Sequence, residues 1–95
     1  MNTQYLNLPD GKISYDDQGA GPLVVCLPSL GDVRAEYRFL APQLVQAGFR
    51  VVRMDLRGLG ESSTRFDDYS VAAVGADLLA LIHSLDAGPA FVIGA

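Results

Sequence analysis

Three short apolar runs, each separated from the next by enough chain for one helix, constrain this sequence more than any other feature. Leu23-Val24-Val25-Cys26-Leu27 is almost continuously apolar, Phe49 to Met54 is rich in β-branched and aromatic residues, and Ala90 to Ile93 begins a third run. Runs of this length without polar alternation suit strands covered on both faces, as in a parallel sheet. The intervening segments read as helices. From about Arg34 to Ala47, Tyr37, Leu40, Leu44 and Val45 fall on one stripe, Pro42 delays the regular helix to near Ala41, and Gly48 is a natural stop. In the second segment Ser70 can cap, Asp67 and Asp68 lie near the positive helix end, and Val74, Leu78, Leu81 and Leu85 recur at helical spacing until Gly88. Upstream, Gln4 to Leu8 and Lys12 to Asp16 flank Pro9-Asp10-Gly11, the pattern of an antiparallel hairpin. The expected fold is therefore α/β: a hairpin entering a parallel sheet with helices on both faces. In such sheets ligands bind beyond the carboxyl ends of the strands, which singles out the loops after Leu27 and after Ile93.

Composition narrows the function. Of 95 residues 49% are apolar and 19% charged, so the chain is globular, and its length predicts one domain with no internal boundary. A net charge of −4 with seven scattered basic residues argues against nucleic acid as a partner. No apolar run reaches the roughly 20 residues of a membrane span, and Met1-Asn2-Thr3-Gln4 lacks the plan of a secretory signal, so a cytoplasmic chain is expected, with no membrane partner. Cys26 reads as a small buried hydrophobe. With a single His and a single Cys no metal cluster is expected, and none of the patterns calls for a cofactor. Gly58-x-Gly60 follows a strand, but Ser63 stands where a dinucleotide fingerprint carries its third glycine. The last strand reaches Gly94-Ala95 without a covering helix, which would leave an exposed apolar edge. The chain is accordingly expected to be the front part of a larger domain.

Three stretches together resemble the amino-terminal portion of the α/β-hydrolase superfamily, and the resemblance runs over essentially the whole chain. Pro22 to Gly31 stands like the family's strand and oxyanion loop. Met54-Asp55-Leu56-Arg57-Gly58-Leu59-Gly60-Glu61-Ser62 is very similar to its Asp-x-Arg-Gly-x-Gly-x-Ser loop. Asp77-Leu78-Leu79, followed by Phe91-Val92-Ile93-Gly94-Ala95, resembles the helix and strand that enter the G-x-S-x-G nucleophile elbow. The resemblance implies that Gly94 and Ala95 open the elbow and that the nucleophile, Ser by preference, would follow Ala95, with the acid and His later still. It also implies that the Leu30 backbone N–H supplies half of the oxyanion hole. Where the family carries His-Gly before that donor, this chain has Pro28-Ser29.

The implied activity is cleavage of a small ester or related acyl compound through an acyl-enzyme. The partners are then the small-molecule substrate and the remaining carboxy-terminal part of the same domain, and these 95 residues alone are expected to be inactive. Ser29 and Tyr37 are candidates for lining the substrate cleft, with a core role as the other reading of Tyr37. The alternatives are an epoxide- or halide-cleaving relative with an Asp nucleophile, a non-catalytic binding member, or an inactive fragment. His83 sits mid-helix without a spaced acidic partner and reads as structural, while Asp55 and Arg57 read as residues that fix the loop backbone. The pairs Asp16-Asp17 and Asp67-Asp68 read as solvated or capping carboxylates.

Overall fold

The computed structural model describes residues 3–29, 32–63 and 68–94. Strands β1 (Gln4–Leu8) and β2 (Gly11–Gln18) pair antiparallel with Leu8 opposite Gly11, so Pro9 and Asp10 alone form the turn. β2 continues past Asp16 to Gln18 because its far half pairs antiparallel with β4 (Arg50–Met54), from Tyr15 opposite Met54 to Gln18 opposite Val51. β3 (Leu23–Leu27) runs parallel to β4 on one side and to β5 (Ala90–Gly94) on the other, giving the order β1-β2-β4-β3-β5.

Strand alternation divides the apolar runs between two faces. Leu23 and Val25 of β3, with Val52 and Met54 of β4, join Ile13 and the α2 residue Leu81 in one buried cluster, where α2 is Val71–Leu85. Val24, Cys26 and Val51 point the other way and pack on Tyr37 and on Ala41 of α1 (Leu40–Gln46). The two crossovers therefore cover opposite faces, as the continuous apolar runs require. Cys26 is fully buried, and burial raises its thiol pKa.

The regular helix, expected to begin only near Ala41, is α1 from Leu40, and a 3-10 turn, Arg34–Tyr37, precedes it. Pro42 accounts for the break. A continuous α-helix would drive its ring into the Arg38 carbonyl, so the helix restarts with Pro42 in its first turn. The restart shifts the helical phase. Tyr37 and Ala41 are buried, whereas Leu40, expected on the same stripe, is exposed. α1 ends as expected, with Gly48 at φ +98° reversing the chain. α2 ends at Leu85, and Asp86 already takes the left-handed conformation at φ +49°, before Gly88 turns the chain again at φ +76°. Asp is one of the few side chains that tolerate it.

Ser70 caps α2 through its side chain, which accepts from the Ala73 N–H at 3.2 Å. Asp68 accepts from the Ser70 N–H at 2.8 Å, and that bond holds its carboxyl below the ordinary aspartate range. Asp67 lies outside the described residues. Ser70→Ala is expected to lower the unfolding free energy of the protein by about 1 kcal/mol with an unchanged denaturant slope, measured in urea. A loss below roughly 0.3 kcal/mol would mean that water replaces the cap. No described helix is long and apolar enough to cross a membrane.

Candidate active site

With the crossovers on opposite faces, a crevice opens at the carboxyl ends of β3 and β5, where the sequence places its two suspect loops. Gly94, the last residue of β5, pairs with Leu27, the last of β3. Tyr37 lies beneath both ends. It is 5% exposed, and its hydroxyl donates to Leu27 O at 2.6 Å with Ile93 O as second acceptor at 3.3 Å. Burial, and then the charge of Glu36, raise the phenol pKa, so the hydroxyl stays a donor through the ordinary pH range.

Ser29 is held at all its polar groups. Its N–H donates to Glu36 Oε1 at 2.6 Å, its hydroxyl donates to Glu36 Oε2 at 2.7 Å, and its carbonyl accepts from the Asp32 N–H at 2.9 Å. The Ser29 hydroxyl is thus engaged with the 3-10 turn. Leu30 and Ala95, the expected oxyanion donor and second elbow residue, lie outside the described residues. Beside the strand ends, Leu27, Pro28, Leu56, Tyr69, Val71 and Val74 line a mostly apolar cleft of about 160 Å³. A cleft of that size and character suits a small uncharged group.

A family described as the alpha/beta hydrolase fold matches residues 22–95. The chain belongs to the α/β-hydrolase family. Its relatives include bifunctional epoxide hydrolase 2 of Sus scrofa, 31% identical over 88 residues, a match covering 90% of this chain and 16% of that protein. A Mycobacterium tuberculosis protein named as a non-heme bromoperoxidase is 34% identical over 83 residues, covering 86% and 31% of the two chains. Among solved structures, epoxide hydrolase VrEH1 from Vigna radiata superposes with a TM-score of 0.90 at 26% identity, covering 98% of this chain and 30% of that one. This α/β-hydrolase chain therefore spans under a third of the length of these relatives. It matches the amino-terminal part of the fold.

In this chain the Asp-x-Arg-Gly-x-Gly-x-Ser loop is held as scaffold through two buried carboxylates. Asp55 accepts from Ser14 Oγ at 2.7 Å, from the Arg34 N–H at 2.7 Å, from the Arg34 guanidinium and from the Glu61 N–H. Arg57 makes a two-pronged pair with Asp77 of α2, at 2.7 and 2.8 Å, and donates to Asp68 O at 2.6 Å. Both residues fix backbone, as their types and setting suggest. Sequence reasoning placed Asp77 in the resemblance but missed it as the partner of Arg57, and it missed Glu36 altogether. No periodicity or motif marks a carboxylate seven residues after Ser29.

A second depression, about 420 Å³, lies on the α1 face near Asp16, Gln18, Arg34, Arg38 and Arg53. Its polarity is mostly internal. Arg53 pairs with Asp16 at 2.8 and 2.9 Å, Arg34 bridges Asp16, Asp55 and Glu61, and Arg38 donates to Ala35 O and packs over Phe39. Gln18 Nε2 is a buried donor without a partner there. It shares no lining residue with the apolar cleft, and we assign it no part in the chemistry.

Proposed function

We propose that this chain is the amino-terminal portion of a single hydrolase domain whose nucleophile follows Ala95, and that the complete domain cleaves a small ester or related acyl compound. The serine hydroxyl attacks the carbonyl carbon, the alcohol leaves with a proton, and water hydrolyses the acyl-enzyme to acid and free serine. Charge on the carbonyl oxygen is met by two backbone N–H groups, that of Leu30 and that of the residue after the nucleophile. One observation carries the reading: Gly94 is paired to Leu27, so the two segments that supply these donors leave the sheet side by side. The apolar cleft next to them supports a small uncharged substrate.

The rest of the domain completes the sheet on this reading. Among the described residues β5 pairs only with β3, and Phe91 and Val92 are exposed on it, which supports further strands of the same domain pairing there. The 95 residues by themselves are then inactive.

A second reading draws on the relatives named as epoxide hydrolases. With Asp after Ala95, the carboxylate opens the epoxide by attack at carbon, and water then hydrolyses the resulting alkyl ester to a diol. Two assays on the complete protein separate the readings: hydrolysis of para-nitrophenyl butyrate and of styrene oxide, with the mass of the peptide after Ala95 following a fluorophosphonate probe. Ester turnover and a phosphonylated Ser are expected. Epoxide turnover without an adduct would replace the first reading by the second, and turnover of neither substrate would overturn both.

A further inference from the structure

We propose that Glu36 and Tyr37, neighbours on the 3-10 turn Arg34–Tyr37, are positioning residues that clamp the oxyanion loop and the end of the elbow strand into one rigid unit. The inference rests on the reading of that crevice as a hydrolase active site, and adds to it a chain-specific device. Glu36 holds the loop: both carboxylate oxygens are taken by donors of Ser29, the residue before Leu30, and the Ser29 carbonyl accepts from Asp32 on the far side. The expected donor is therefore bracketed by fixed residues. Tyr37 holds the strands: one buried hydroxyl lies within hydrogen-bond reach of the Leu27 carbonyl that ends β3 and of the Ile93 carbonyl one residue before the end of β5, a strand that among the described residues meets the sheet only through β3.

The turn can act as a clamp because its own base is fixed. The Arg34 N–H donates to Asp55 at 2.7 Å, and the Arg34 guanidinium is paired with Asp16, Asp55 and Glu61. Motion of the turn would thus require breaking the pairs of Arg34 with the buried Asp16 and Asp55. The need for such a clamp follows from Pro28-Ser29. Proline offers no N–H at the start of this loop, and the loop's first donor, the Ser29 N–H, is spent on Glu36. Two charge-assisted bonds to Glu36 are stronger than neutral ones and hold the loop in one arrangement. Oxyanion stabilisation depends on donors that need no reorganisation as charge develops, so a loop freed by a fraction of an ångström loses rate.

Tyr37→Phe and Glu36→Ala, made in the complete protein, are each expected to lower kcat about tenfold while KM stays within about twofold. Glu36→Gln, which can still accept from the Ser29 N–H and donate to its hydroxyl, should recover most of the loss, and the pH–rate profile should keep its shape in all three. Hydrogen exchange supplies the independent readout: the peptide spanning residues 23–32 should exchange on the order of tenfold faster in Glu36→Ala. Unchanged exchange overturns the clamp. Faster exchange with unchanged kcat overturns its positioning role, and a displaced pH profile in Glu36→Gln would make Glu36 an acid or base instead. A complete wild-type protein that turns over neither probe substrate overturns the hydrolase reading and the catalytic role with it, while exchange still decides whether the tie exists.

Discussion

Replacing Arg57 with alanine is expected to lower the unfolding free energy by about 3–5 kcal/mol, the cost of leaving a buried charge without its partner. The side chains of Arg57 and Asp77 are only 6% and 3% exposed, so neither can fall back on water. Two parallel bonds at 2.7 and 2.8 Å, with a third from Arg57 to Asp68 O at 2.6 Å, tie the loop after β4 to α2 and to the segment entering it. In Arg57→Ala the Asp77 carboxylate stays buried without its guanidinium, and the loop loses its hold on the helix. Arg57→Lys should fall between, because it keeps the charge without the planar fork. The double variant Arg57→Met, Asp77→Leu should be closer to wild type than Arg57→Ala, since removing both charges removes the desolvation problem itself. Urea unfolding of the complete protein measures all three. A loss below about 1 kcal/mol for Arg57→Ala would mean that water reaches Asp77 and that the pair is effectively a surface one.

Asp55→Ala is expected to cost about 2–4 kcal/mol and to lower turnover as well. The carboxylate is 1% exposed and gathers donors from β2, from the start of the 3-10 turn and from the loop after β4. The stability loss should be smaller than for Arg57→Ala, because Arg34 keeps Asp16 and Glu61 and Ser14 keeps Ser62. The functional loss has a separate origin. Without Asp55 the first N–H of the 3-10 turn is unpaired, and the turn that carries Glu36 and Tyr37 loosens at its base. Gly60→Ala should reproduce part of both effects, since Gly60 sits at φ +55° with no room for a Cβ against the Asp55 carboxylate. Comparing unfolding free energy with kcat on the complete protein separates the two consequences. Full kcat in a folded Asp55→Ala protein would show that Arg34 holds the turn through Asp16 and Glu61 alone.

Much of this fold is legible in the sequence because its signals are local. The apolar run Leu23–Leu27 coincides with β3 to the residue, and Ser70 caps α2 because the cap lies three residues from the N–H it serves. The Asp55–Ser62 loop and the strand into Gly94 could be matched to a family for the same reason: each motif is contiguous. Where a local signal misled, a neighbouring constraint outweighed it. Leu40, expected on the buried stripe, is exposed at the start of α1, and Asp86 takes the left-handed conformation two residues before Gly88 does.

The sequence by itself thus determined the order and kind of the main strands and helices and the family to which the chain belongs. Only the tertiary structure decided which polar groups meet. Eleven acidic and seven basic side chains allow many pairings, and nothing periodic distinguishes Arg57 with Asp77 from Arg57 with Asp55. The strand order β1-β2-β4-β3-β5 makes the choice, bringing Ser14 to Asp55 across 41 residues and the Tyr37 hydroxyl to the Ile93 carbonyl across 56. Side-chain hydrophobicity acts over a helical turn or a strand and leaves a pattern that can be read in order. A buried hydrogen bond depends on distance and direction in three dimensions, which exist only once the sheet has formed.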